Sequence, residues 1–309
     1  MDIVYSSTKE NRNSDPEAVY ERAYAKINLC LDVTGKRPDG YHDLRMIMQT
    51  VDLYDELEIR IGKKEAEQGK ITLIMKELPE GADLGPVEKN LIWRAARLFL
   101  DEYHLKTSVI ITLTKRIPVA AGLAGGSSDA AAAIRGLNRL LAIGASEEEM
   151  CALGVKIGAD VPYCIRGGTM LAEGIGEVLS PLPNPPSCYL LLAKPPVDVS
   201  TGYVYDHLRL DDPSSHPDVD RCIEALVNQD LAKLASNLGN ILETVTEKEY
   251  SVITVMKSLM KEAGAAGTLM SGSGPTVFGL FENIDNARYA KQLLEERGLS
   301  TRNFVTGFV

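Results

Sequence analysis

The sequence predicts an α+β chain of two domains. Short runs alternate apolar and polar residues in the manner of strands, and they are interleaved with segments of helical spacing near 3.6. The chain has 309 residues, beyond the roughly 250–300 at which a single core stops growing. The stretch Pro181-Leu182-Pro183-Asn184-Pro185-Pro186 reads as a linker. The expected boundary therefore separates residues 1–180 from 181–309. Residues 1–18 form a polar extension, read as disordered or as capping a strand.

From Ala23 to Val33 the alternation is strict: Ala25, Ile27, Leu29, Leu31 and Val33 share one face, and Tyr24, Lys26, Asn28, Cys30 and Asp32 the other. A loop rich in Gly, Pro and Asp occupies Thr34 to Asp43. Strand-like runs follow at Arg45–Thr50, Asp55–Ile61 and Ile71–Met75. Leu91 to Tyr103 has helical apolar spacing, and Ser108 to Thr114 is strand-like again. The next helix is expected from about Ser128 to Leu141. Ser146 with Glu149 makes a capping box for a helix ending near Gly158. Gly167 to Leu179 suggests a hairpin, and Tyr189–Ala193 an apolar strand. Helices are expected at Val219–Asn228, Leu231–Leu238, Tyr250–Ala263 and Ala287–Arg297, a glycine-rich strand pair at Gly267–Phe281, and a last strand at Phe304–Val309.

The net charge of −10 argues against a general nucleic-acid or membrane-surface binder, while a local cluster of N–H groups and lysines could still hold an anionic substrate. Five cysteines without a CxxC pair suggest reduced thiols and a cytoplasmic setting. Four histidines without an HExxH arrangement speak against a zinc enzyme. No segment reaches the ~18 continuous apolar residues of a membrane span. Met1 to Ala18 carries more acids than bases, unlike a signal peptide. The oligomeric state is left open.

The most informative stretch runs from Ile117 to Ala133: strand exit, Pro118, the loop Ala120-Ala121-Gly122-Leu123-Ala124-Gly125-Gly126-Ser127-Ser128, then an alanine-rich helix. A strand–loop–helix junction of this kind leaves backbone N–H groups at the positive end of a helix dipole, which suits a phosphate chain. It lacks the Walker lysine and the GxGxxG fingerprint. A tight turn with a serine N-cap is the plainer reading. Lys26 and Asn28 share a strand face, where an ordinary solvated lysine is slightly favoured on local grounds alone. Asp160, between a helix end and Val161-Pro162, is by itself more often a structural turn residue. A lysine, an aspartate and an N–H cradle together supply the parts of phosphoryl transfer. The second loop, Ser271-Gly272-Ser273-Gly274-Pro275, reads as a hairpin turn or as a close backbone approach to a ligand.

In order and spacing, Pro118–Ala133, Ala25–Leu29 and Gly267–Gly279 resemble the three motifs of the GHMP kinase superfamily (galactokinase, homoserine, mevalonate and phosphomevalonate kinases). The resemblance covers Tyr24 to the C-terminus. Arg37-Pro38-Asp39-Gly40-Tyr41-His42 and Gly158-Ala159-Asp160-Val161-Pro162 resemble the branch that acts on 4-diphosphocytidyl-2-C-methyl-D-erythritol, in the non-mevalonate route to isoprenoids. The resemblance implies a two-domain GHMP-kinase-like fold with its active site in the interdomain cleft, and ATP-dependent phosphorylation of a substrate hydroxyl. Asp160 would be the base and Lys26 its charge partner. Pro118, Ala120, Ala121, Gly122, Leu123, Ala124, Gly125, Gly126, Ser127 and Ser128 would hold the nucleotide phosphates, with Asn90, Leu91 and Lys115 lining the adenine pocket. Tyr41 would stack on the cytosine and His42 hydrogen-bond it. Tyr205, or Tyr203, would close the other side, and Asn28 and Thr201 would touch substrate. Mg²⁺ is expected with ATP; its protein ligand is unassigned, with Ser128 the leading hydroxyl.

Some family loops are almost wholly glycine, whereas this one carries Ala120, Ala121 and Ala124. Alanine suits such a loop where φ stays negative, so Gly122, Gly125 and Gly126 are the positions expected to matter. A sibling kinase for mevalonate or homoserine is the nearest rival, opposed by the Tyr41-His42 pair, because neither substrate has a base to stack. A silent binding protein on the same fold would be expected to have lost Lys26 or Asp160.

Overall fold

The computed structural model describes residues 4–5, 18–62, 69–77, 86–212 and 215–309. Most of the N-terminal extension, residues 1–3 and 6–17, lies outside them; Val4–Tyr5 pairs parallel with Ile74–Met75. The chain forms two compact units, each assembled from separated segments. The first holds Met1–Ala25, Leu53–Val119 and Ala124–Arg166; the second holds Lys26–Asp52, Ala120–Leu123 and Gly167–Val309. They are not successive halves, and Pro181–Pro186 falls inside the second.

In the first unit the end of the long strand His42–Ile61 pairs antiparallel with Val109–Thr114, which pairs parallel with Ile71–Glu77. Val109, Ile111 and Leu113 point inward, as their alternation requires. Four helices supply the other side of this core: Leu91–Glu102, Gly125–Leu140, Glu147–Val155 and Val161–Arg166. Ile92, Ala95, Ala96 and Phe99 meet Ala130 to Ala133, Ile134 and Leu137, all essentially without solvent exposure. The small alanine side chains let the helices approach closely. The capping box is present: the Ser146 hydroxyl accepts the Glu149 N–H and the Glu149 carboxylate accepts the Ser146 N–H.

The second unit contains a four-stranded antiparallel sheet in the order Gly267–Met270, Val277–Phe281, Tyr189–Lys194, Arg302–Thr306. The helices Val252–Glu262 and Ile284–Glu296 pack on it. Elsewhere in this unit, Leu44–Gln49 pairs with Thr169–Gly174, which turns into Val178–Pro181 as the expected hairpin. Cys30 and Leu31 of the strand Ala18–Lys36 pair parallel with Gly239–Asn240.

Several elements differ from expectation. Arg45–Thr50 and Asp55–Ile61 are one continuous strand. The helix expected from Ser128 begins at Gly125, three residues earlier. Asp160 precedes a six-residue helix, Val161–Arg166, that Pro162 does not interrupt, because a helix's first turn needs no N–H from it. Thr201–His207 and Glu243–Glu249 are further short helices. Among the described residues no helix is long and apolar enough to cross a membrane.

Candidate active site

In the second unit the site is built around Lys26. The face of Ala18–Lys36 expected to meet solvent is covered: Lys26 is 5% exposed, Asn28 and Cys30 are fully buried, and Asp32 is nearly so. The Lys26 ammonium donates to Asn28 Oδ1 at 2.8 Å, and the Asn28 amide reaches Met46 Sδ. A buried ammonium needs polar partners, and this strand supplies one from its own face.

Two loops converge on that strand. The Lys26 N–H donates to the Leu123 carbonyl at 3.1 Å. Gly122 sits at φ +72°, its carbonyl accepting the Ser271 hydroxyl at 2.9 Å. A Cβ there would lie 2.2 Å from the Ser271 carbonyl oxygen, so only glycine lets the loops meet. A Cβ on Gly272 would lie 3.6 Å from both Lys26 Nζ and Asn28 Oδ1. Ser271–Pro275 is therefore both a turn between strands and a close backbone approach, here to the lysine.

Asn240 holds this second loop, and no sequence pattern announced it. Its buried side-chain amide donates to the Met270 and Gly272 carbonyls at 2.9 and 2.7 Å, while its oxygen accepts the Leu242 N–H. Glu243 adds a bond from the Met270 N–H and an ion pair with Lys257. Burial raises the Glu243 carboxyl above its ordinary range.

Also in this unit, Tyr41 is 58% exposed at the tip of a tight loop in which Asp39 accepts its N–H and Arg37 pairs with Asp39 and Asp43. The adjoining His42 ring lies 5.0 Å from the ring of Tyr205. Tyr203 instead stacks on His207 at 4.0 Å, so Tyr205 is the tyrosine that faces His42. Burial, reinforced by Lys36, lowers the His42 pKa and favours its neutral form. Thr201 shares a hydrogen bond with Ser273 at 2.8 Å.

In the first unit, Ala124 opens the helix Gly125–Leu140 with no side-chain cap, and the Ser128 N–H closes the first turn on its carbonyl. The N–H groups of Gly125, Gly126 and Ser127 precede that closure and stand at the dipole's positive end. Asn90 caps Leu91–Glu102 by accepting the Ile92 N–H, and Leu91 Cδ1 lies 3.4 Å from where a Gly126 Cβ would be. Half-buried Asp160 closes the next short helix through its carbonyl, which accepts the Cys164 N–H.

The chain matches the profile of the GHMP kinases N terminal domain over residues 90–168 and that of the GHMP kinases C terminal domain over 222–297. It is 49% identical to the 4-diphosphocytidyl-2-C-methyl-D-erythritol kinase of Lachnoclostridium phytofermentans over 93% of this chain and 96% of that one. The chain belongs to the GHMP kinase family. The enzyme of the same name from Acetivibrio thermocellus is 47% identical over 90% of this GHMP kinase and 95% of its own length. A crystal structure of 4-(cytidine 5'-diphospho)-2C-methyl-D-erythritol kinase superposes with a TM-score of 0.74 at 33% identity, covering 94% of this chain and 99% of that one. Homoserine kinase from Cytophaga hutchinsonii shares the fold at a TM-score of 0.77 and 20% identity, covering 96% and 97%.

The surroundings of two expected site residues, and the backbone of the alanines in the loop, differ from the sequence reading of this kinase. Ser128 is 2% exposed and its hydroxyl donates to the Tyr24 carbonyl at 2.6 Å; Ser127 beside it is half-buried. Lys115 does not face an open pocket: its ammonium is held by Asp55 and Asp129 at 2.5 and 2.7 Å, with all three side chains under 5% exposed. Ala120 and Ala124 adopt φ of +50° and +54°, against the expectation of negative values. Neither Asp55 nor Asp129 had been singled out.

Proposed function

We propose that this kinase transfers the γ-phosphoryl group of ATP to the 2-hydroxyl of 4-diphosphocytidyl-2-C-methyl-D-erythritol, in the non-mevalonate route to isoprenoid precursors. The observation that carries the reading is the exposed Tyr41 beside the His42–Tyr205 ring pair. Such a set suits a planar base and has no use in a kinase for mevalonate or homoserine. A neutral His42 can both donate and accept, as discrimination of a cytosine edge requires, whereas stacking alone contributes roughly 1–3 kcal/mol without selecting the base. The names of the relatives agree with it.

Phosphoryl transfer asks little covalent chemistry of a protein and much positioning. In this reading the first unit carries nucleotide binding and the second carries substrate recognition. The N–H groups of Gly125, Gly126 and Ser127 receive the phosphates, with Asn90 and Leu91 toward the adenine. Asp160 accepts the proton of the attacking hydroxyl. Lys26, oriented by Asn28, stabilises negative charge on the transferred group, and Thr201 contacts the acceptor. Mg²⁺, bound with ATP, would supply charge compensation to the phosphates. Among the described residues no group of three or more His, Cys, Asp or Glu could hold a metal ion.

The test is an ADP-release assay with MgATP and three acceptors side by side: the diphosphocytidyl compound, mevalonate and homoserine. Turnover confined to the first is expected. Turnover of either other acceptor discards the substrate assignment and leaves the kinase.

A further inference from the structure

The Asp55–Lys115–Asp129 cluster is buried in the first unit and touches no group assigned above to the acceptor. Asp55 Oδ1 accepts two successive backbone N–H groups, those of Arg116 and Ile117, immediately before Pro118. Its other oxygen accepts the Lys115 ammonium, which also donates to Asp129 Oδ2 in the second turn of the helix Gly125–Leu140. A Cβ on Gly125 would lie 3.0 Å from Lys115 Nζ and 2.9 Å from Ile117 Cγ2. The first residue of the helix thus rests directly on the ammonium and on the strand exit. We propose that this triad is the positioning element of the phosphate-binding segment, tying the residues that enter it and the helix turn that leaves it to one buried ammonium.

A merely stabilising role is a poor account of such a cluster, because well-packed apolar residues of similar volume usually serve stability as well or better. What the ions add is direction: each oxygen and each ammonium proton fixes one backbone segment. The charge count supports the placement. With both carboxylates ionised, a net negative charge would be buried behind N–H groups that await phosphate. Asp129 Oδ1 has no hydrogen-bond partner in its buried position, and burial raises its carboxyl well above the ordinary range. Burial opposes the charge of Lys115, but Asp129 and Asp55 outweigh it and raise its pKa. A protonated Asp129 leaves the triad neutral and the helix terminus free to attract an anion.

The proposal rests on the nucleotide reading of the loop. Its test is the double variant Lys115→Met/Asp129→Leu, which removes the ammonium and one carboxylate and leaves Asp55 with its two backbone donors. A folded protein by circular dichroism is expected, with the KM for MgATP raised tenfold or more and the KM for the acceptor changed less than twofold. A folded double variant with parental KM for MgATP overturns the proposal. If the double variant does not fold, Asp129→Ala, which removes the oxygen that holds the ammonium, is measured instead. There a rise of threefold or more, confined to MgATP, is expected, and parental KM values overturn the proposal. Calorimetry of the parent with ATP separates the two readings. A parent that binds no ATP removes both, whereas a parent that binds it beside an unaffected variant removes only the role of the triad.

Discussion

Gly122→Ala would place a methyl carbon 2.2 Å from the Ser271 carbonyl oxygen and 3.1 Å from that of Gly274, at a φ of +72°. The left-handed backbone costs alanine about 1–2 kcal/mol, and forcing two backbone segments apart costs about 1–3 kcal/mol more. The sum, about 2–5 kcal/mol, is a large part of the 5–15 kcal/mol that typically holds a domain together. It corresponds to a fall in Tm of about 3–8 °C for a chain of this size. Gly126→Ala is the matched control. Its new carbon would meet only Leu91 Cδ1, at 3.4 Å, and alanine is favoured over glycine in a helix by about 0.5–1 kcal/mol. Its Tm should hold or rise while the KM for MgATP increases, if the space there receives the nucleotide as proposed. Thermal unfolding by circular dichroism, paired with MgATP kinetics, reads both. A Gly122→Ala protein melting within about 2 °C of the parent refutes the collision argument, and a parental KM in Gly126→Ala refutes the ligand argument.

Asp160→Asn should lower kcat by about 10²–10⁴-fold, the range of general-base catalysis, with ATP binding close to parental; retained turnover in steady-state assays excludes Asp160 as the base. Tyr41→Ala should raise the KM for the cytidyl acceptor by about 5–150-fold, the equivalent of 1–3 kcal/mol of stacking, and an equal rise for ATP contradicts that role. Asn240→Ala strips hydrogen bonds from the Met270 and Gly272 carbonyls and should destabilise by about 2–4 kcal/mol; an unshifted urea midpoint would show that the loop holds itself. His216 Nδ1–H donates to Asp32 Oδ1 at 2.7 Å. Burial works against its charge, but the Leu210 carbonyl and Asp32 prevail and its pKa is raised. Its contribution is therefore full below the unfolded value of about 6.5 and lost as pH rises through the folded value. Urea midpoints of parent and His216→Ala should differ more at pH 6 than at pH 8, and the reverse order refutes the assignment.

Much of the fold was legible because its signals are local. The alternation of Val109–Thr114 and the spacing of Leu91–Glu102 each reappear as buried faces, and the Ser146 capping box needs only four residues. What failed were inferences that depend on distant neighbours. Alternation showed that Lys26, Asn28, Cys30 and Asp32 share a face, but not that other segments cover it. Ser128 had the composition of an N-cap, yet its hydroxyl finds the Tyr24 carbonyl, and the helix starts at an uncapped, left-handed Ala124. Thr201–His207 was missed although Ser200 caps it, because seven residues give too short a period to read. The resemblance alone placed Lys115 at the adenine pocket, and nothing in its own segment reveals Asp55, sixty positions earlier.

Ala120 and Ala124 bear on how the phosphate loop receives its ligand. An alanine held at positive φ is fixed by the structure around it, and it has fewer alternative conformations to visit than a glycine would. If the loop holds the nucleotide phosphates as proposed, it is already wound before they arrive, so little ordering entropy remains to be lost on binding. Association should then proceed in a single phase, limited by diffusion and electrostatic attraction, without a slower closing step.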